Sequence, residues 1–133
     1  MARILIIEDE ANLRLLYRNE LEIEGYDVSD VGTGTDALKV LEYEKIDAVV
    51  LDLRLPDVYG LQLLDAMLSR WRDLPVIINT AYDQFRENFH SWGAEAFVVK
   101  SSDLSELKNV LSRVIPPSPP SSHQLETYHA YHH

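Results

Sequence analysis

Short apolar runs alternate along this chain with longer stretches in which apolar residues recur every three or four positions. The runs are Arg3 to Ile7, Tyr26 to Val31 (more weakly), Asp47 to Leu51, Pro75 to Asn79 and Ala96 to Val99, each the length of a buried strand. Between them come helix-spaced sets. Leu13, Leu16, Tyr17 and Leu21 precede Gly25, and Ala37, Leu38 and Leu41 form the second set. The third is Leu61, Leu64, Met67, Leu68 and Trp71. Phe85, Phe89 and Trp92 precede Gly93, and Leu104, Leu107, Val110, Leu111 and Val114 precede a run of prolines. Gly25 and Gly93 stand where helix C-terminal glycines belong, and Thr33 with Asp36 and Asp103 with Glu106 read as N-cap pairs. The alternation predicts an α/β fold, (βα)5, with a parallel sheet and crossover helices. The spacing of Phe85, Phe89 and Trp92 reads as a core stripe rather than an exposed partner site.

Composition sets the class without changing this outline. The chain has 133 residues, 46% of them apolar and 26% charged, which suits one globular domain. No apolar run is long enough to span a bilayer, and "MARILIIEDE" lacks the pattern of a signal peptide, so a cytoplasmic location is expected and no membrane association. The absence of cysteine excludes disulfides, Cys-zinc sites and thiol chemistry. A net charge of −10 argues against direct nucleic-acid binding, which needs a Lys/Arg surface. Character changes at Pro116: residues 116–133, "PPSPPSSHQLETYHAYHH", read as a Pro/Ser- and His-rich tail, a linker or an expression remnant rather than a metal site. Residues 1–115 then form the domain.

In a parallel sheet the residues that follow each strand gather along one edge, where ligands bind open α/β folds. Glu8 and Asp9 follow the first run, Asp52 ends "AVVLD", Thr80 follows the fourth run and Lys100 the fifth. Three carboxylates brought together must raise a pKa, find a cation, or both. An all-oxygen set without His or Cys suits Mg2+, which commonly works with phosphates. Each residue alone has a plainer reading. "EDE" fits a charged first helical turn, Lys100 a snorkelling surface residue, and Thr80 a capping hydroxyl. Together they describe a phosphate site.

The stretches "ILIIEDE", "VVLDLRLPDVYGLQLL", "VIINTAY" and "AEAFVVK", in this order and spacing, resemble the receiver domains of two-component response regulators from about Arg3 to Val114. The resemblance implies a flavodoxin-like doubly wound sheet of strand order 2-1-3-4-5. It makes Asp52 the phosphoacceptor, taking a phosphoryl group from a phosphohistidine on a sensor histidine kinase or a histidine phosphotransfer protein. Asp9, Asp52 and the backbone carbonyl of Arg54 would hold Mg2+, with Glu8 acting directly or through a water. Lys100 and Thr80 would hold phosphoryl oxygens. Thr80 and Phe97 would switch the face made by the fourth helix, fifth strand and fifth helix, which meets an effector, a partner protein or a second copy. Pro56 and Gly60 match the family's loop residues. Such a domain catalyses its own phosphorylation and slow self-dephosphorylation, and signals rather than turns over substrate.

Three positions depart from the family pattern. Lys100 is followed by Ser101 where the family usually has a proline after a cis bond, so a trans bond is expected. Phe97 replaces the frequent tyrosine. Arg54 and Tyr82, two residues beyond Asp52 and Thr80, put bulk on the path of an attacking water and predict slow loss of the phosphoryl group. An aspartate-nucleophile phosphatase of the haloacid dehalogenase type would have a second Asp at position 54, and a flavin carrier would need a hydroxyl- and glycine-rich loop where "EDEAN" stands. The alternative that survives is a degenerate receiver that binds partners without phosphorylation.

Overall fold

A computed structural model describes residues 1–116 of the chain; the expected tail beyond Pro116 lies outside the described residues. The strands are β1 (Arg3–Ile7), β2 (Asp27–Val31), β3 (Ala48–Leu51), β4 (Val76–Thr80) and β5 (Ala96–Val99). The helices are α1 (Ala11–Ile23), α2 (Gly34–Tyr43), α3 (Gly60–Arg70) and α4 (Ser105–Val114). All strands pair in parallel in the order β2-β1-β3-β4-β5, as the flavodoxin-like expectation requires. Ile7 is level with both Val31 and Leu51, and Thr80 with Val99, so the residues that follow β1, β3, β4 and β5 emerge at one edge.

Alternation along the strands divides the core in two. Leu5, Ile7, Val49, Leu51, Val76 and Ile78 pack with Leu63, Leu64 and Met67 of α3. Ile4, Ile6, Val50 and Ile77 pack with Tyr17 and Leu21 of α1 and Leu107 and Leu111 of α4. With apolar side chains buried on both faces, β1, β3, β4 and β5 read as nearly continuous hydrophobic runs, whereas the edge strand β2, DVSDV, does not.

The fourth expected helix is not α-helical. A single 3-10 turn, Asp83–Phe85, leads into successive turns closed by i→i+3 hydrogen bonds, among them Asn88 N to Phe85 O and Ser91 N to Asn88 O. Asn88, Phe89, His90, Ser91, Trp92 and Gly93 all sit low on the helix-propensity scale, so nothing local favours the longer i→i+4 ladder. The aromatic stripe still does its expected work, since Phe85, Phe89 and Trp92 pack against the first core. Local punctuation was otherwise mostly legible. Thr33 Oγ1 accepts from Asp36 N–H at 3.1 Å as expected, whereas the Asp103–Glu106 pair does not form: α4 is capped at Leu104 without a side-chain bond, and Asp103 Oδ1 accepts instead from Ser105 N–H at 2.9 Å. Gly25 and Gly93 have φ of 101° and 86°. The Lys100–Ser101 bond is trans, as the missing proline predicts.

Candidate functional site

Hydrogen bonds that extend the sheet carry its regularity into the loops beyond it. Glu8 N–H donates to Val31 O (3.0 Å), Asp52 N–H to Ile7 O (3.0 Å) and Lys100 N–H to Thr80 O (2.7 Å). Glu8, Asp52 and Lys100 are thereby fixed in height relative to one another. Carboxylate oxygens of Glu8, Asp9 and Asp52 come within 4.8 Å of each other. Glu8 and Asp52 are buried, at 2% and 5% exposure, while Asp9 is open to solvent.

Lys100 joins the acids. Its ammonium donates to Asp52 Oδ2 at 3.0 Å and lies 2.5 Å from Glu8 Oε1. Asp52 Oδ1 accepts from Arg54 N–H (3.2 Å), and Glu8 Oε2 from Glu10 N–H (3.1 Å). Glu8 Oε1 is buried, is balanced by the nearby ammonium, and accepts no hydrogen bond of ordinary geometry. Burial pushes the Glu8 carboxyl up, and the Asp52 charge adds to this against Lys100 and the Glu10 N–H. Burial alone would lower the Lys100 ammonium, but Glu8 and Asp52 outweigh it and raise it.

The donor set fits a hard divalent cation. It is all oxygen, and it carries three carboxylates for one ammonium. The arrangement also fits phosphoryl chemistry, because a carboxylate nucleophile gains most from neighbours that neutralise the transferring group.

Other candidates stand around this centre. Thr80 is fully buried at the end of β4, with its hydroxyl accepting from Tyr82 N–H at 3.4 Å. Arg54 turns its guanidinium onto the Tyr82 ring, 4.9 Å from the centroid, so the two bulky residues stack on one another. Phe97 is 5% exposed, with its ring 5.9 Å from Phe89 and Arg86 over it at 5.5 Å. It belongs to the first core. A glycine at position 60 is required because a Cβ there would lie 2.4 Å from Leu53 Cα, where the β3–α3 loop folds back on itself.

Sequence reasoning overlooked Arg14 and Asp57. Arg14 reads as an ordinary helical surface arginine, yet it donates to Glu8 O and Asp9 O. Asp57 reads as a turn residue, yet it caps α2 by accepting from Gly34 N–H and Thr35 N–H. Arg14 bonds backbone carbonyls, which no pattern of residue types signals, and the partners of Asp57 lie more than twenty positions away.

The family model for the response regulator receiver domain matches residues 4–112. The chain belongs to the response regulator receiver family. Among its relatives, the luminescence regulatory protein LuxO of Vibrio campbellii is 33% identical over 112 residues, 83% of this chain and 25% of that protein. The receiver thus spans about a quarter of the length of this relative. Sporulation initiation phosphotransferase F of Bacillus subtilis is 30% identical over 86% of this chain and 94% of its own. Among solved structures, the Thermotoga maritima response regulator TrrA in complex with Mg(2+)-BeF superposes with a TM-score of 0.81. It is 36% identical and covers 86% of this chain and 100% of its own. TrrA in complex with the histidine kinase ThkA gives 0.80 at the same identity, over 86% and 99% of the two chains. Among the described residues of this receiver, no helix is long and apolar enough to cross a membrane.

Proposed function

We propose that this receiver accepts a phosphoryl group on Asp52 and passes the signal on by a change in partner affinity. The observation that carries the reading is the convergence of buried Asp52 with Glu8 and Asp9 on one side and the Lys100 ammonium on the other. The donor is a phosphohistidine on a sensor histidine kinase or a phosphotransfer protein, and the kinase-bound form of TrrA supports this choice.

An Asp52 carboxylate oxygen attacks phosphorus, an O–P bond forms as the N–P bond to imidazole breaks, and the imidazole leaves with the bonding pair. The carboxylate is a weak nucleophile, so positioning and charge neutralisation supply the acceleration. Arg54 N–H holds one oxygen of Asp52 and Lys100 the other, which fixes the carboxylate plane before reaction. Lys100 then transfers to a phosphoryl oxygen, and the Thr80 hydroxyl turns from Tyr82 N–H to another. Glu8, Asp9, Asp52 and the Arg54 backbone carbonyl would hold Mg2+, which when bound neutralises charge on the phosphoryl oxygens; the TrrA complex supports that choice.

The movement of Thr80 is read at the face made by residues 83–93, β5 and α4. This is an open groove of about 860 Å3 lined by Phe89, Phe97, Asn109, Val110 and Arg113, and it receives an effector, a partner protein or a second copy. The Arg54–Tyr82 stack stands across the approach of water and slows hydrolysis of the acyl phosphate. Localisation in the cytoplasm, with the kinase's catalytic region, follows from this reading.

Incubation with Mg2+ and acetyl phosphate, followed by intact mass, tests the chemistry. Wild type gains one phosphoryl group and Asp52→Ala gains none. No gain in wild type leaves a phosphorylation-independent interaction module. Once labelled, wild type keeps the group for minutes or longer in Mg2+, and loss within seconds contradicts the role given to Arg54 and Tyr82.

A further inference from the structure

Arg14 takes no part in the steps above, yet its guanidinium is built into the acidic loop from behind. Nη1 donates to two successive carbonyls, Glu8 O at 2.8 Å and Asp9 O at 3.0 Å. Nε donates to Asp30 Oδ2 at 3.2 Å, at the end of β2. Asp30 is itself held by a second arginine, since its Oδ1 accepts from Arg18 Nε at 2.9 Å. Two residues on, a Cβ at Gly32 would lie 2.8 Å from Nη1, so a larger residue there would displace the guanidinium.

We propose that Arg14, anchored by Asp30 and given room by Gly32, is a positioning residue that holds Glu8 and Asp9 in the arrangement receiving the divalent cation. This rests on the Mg2+ reading of the site. One nitrogen bonded to consecutive carbonyls pins the peptide that joins the two acids and the peptide after it, on either side of the Asp9 Cα. Three carboxylates within 4.8 Å repel one another, and a free loop would relax by swinging Asp9, the exposed member, outward. A guanidinium suits the task because it stays charged and offers rigidly spaced donors to several acceptors at once.

Two effects of Arg14 on cation binding have opposite signs. As a nearby positive charge it competes with Mg2+, so its removal should tighten binding. As a clamp it preorganises the ligands, so its removal should weaken binding. Outer-shell partners of metal ligands typically matter by about 10- to 100-fold in affinity. We therefore expect the clamp to outweigh the charge, which screening reduces at this partly exposed position.

The test is a Mg2+ titration of the full chain at constant ionic strength, followed by amide NMR shifts of Glu8 to Glu10 and Asp52 to Arg54. The set comprises wild type, Asp9→Asn, Arg14→Gln and Gly32→Ala. Arg14→Gln is expected to bind Mg2+ about tenfold or more weakly although it loses a positive charge. Gly32→Ala, which changes no charge and only displaces the guanidinium, is expected to weaken binding in the same direction. In the metal-free protein the Glu10 amide, held by Glu8 Oε2, should exchange with solvent faster in both variants. If wild type binds, Asp9→Asn does not, and both variants keep or improve on wild-type affinity, the clamp is overturned while the site stands. If wild type itself shows no saturable shifts, the Mg2+ reading falls and the clamp with it. Should Arg14→Gln fail to fold, Gly32→Ala carries the comparison.

Discussion

Asp57 lies on the loop that follows the candidate acceptor, and its carboxylate is spent on a different element. It accepts from Gly34 N–H, Thr35 N–H and Thr35 Oγ1 at 2.9, 2.9 and 2.8 Å, which ties the loop to the N-terminus of α2. These bonds, the Gly34 N–H first, pull its pKa from 3.8 to about 2. A carboxyl depressed in the folded state adds stability that is complete above its ordinary value and vanishes as pH falls through the folded one. Asp57→Ala should therefore unfold at lower urea concentration than wild type at pH 7, and the gap should close between about pH 4 and pH 2. A gap that stays constant over that range would show that the side chain acts by packing instead. This cap also marks the limit of reading single residues. Thr33 and Asp36 announce their cap because they are three positions apart, whereas Asp57 meets residues more than twenty positions away. Asp52, Thr80 and Lys100 were legible for a different reason: each sits at the end of a strand-length run, and parallel topology brings such positions together.

At the level of elements, strands were the clearest signal, and the expected and observed limits of all five agree to within a residue at each end. Burial on both faces leaves nearly continuous apolar runs at β1, β3, β4 and β5, and the edge strand β2, DVSDV, carries the weaker signal. The stretch from Phe85 to Trp92 misled because aromatic spacing reports which side faces the core and says nothing of how tightly the backbone coils. A chain of i→i+3 turns presents the same three aromatics inward. This matters for Phe97, which the family resemblance makes a switching residue. Its ring is buried among Phe89 and the first core, so it carries packing energy whatever else it does. Phe97→Ala should cost about 3–5 kcal/mol of unfolding free energy, read from urea denaturation of the metal-free protein. A cost below about 1 kcal/mol would mean that the neighbouring turns close over the gap, and that segment 86–93 is soft enough to repack freely.

For the molecule as a whole, the acidic cluster couples stability to cations in two ways that are easily confused. A chain of net charge −10 repels itself, so any added salt should stabilise it somewhat by screening. A cation that binds only the folded state stabilises by mass action, at about 1.4 kcal/mol for a tenfold excess over its dissociation constant. For a domain of this size that amounts to several degrees in melting temperature. Thermal unfolding in MgCl2 and in NaCl of matched ionic strength separates the two, and wild type should melt several degrees higher in Mg2+. Glu8→Gln sharpens the comparison. It removes a buried carboxylate and leaves Lys100 paired with Asp52. Without metal the variant should melt as high as wild type or higher, because the desolvation cost of the buried charge is gone. Its extra stabilisation by Mg2+ over NaCl should shrink, because a ligand is gone as well. A variant that is destabilised without metal and keeps the full Mg2+ increment would make Glu8 a structural partner of Lys100, and would leave Asp9 and Asp52 to bind the cation alone.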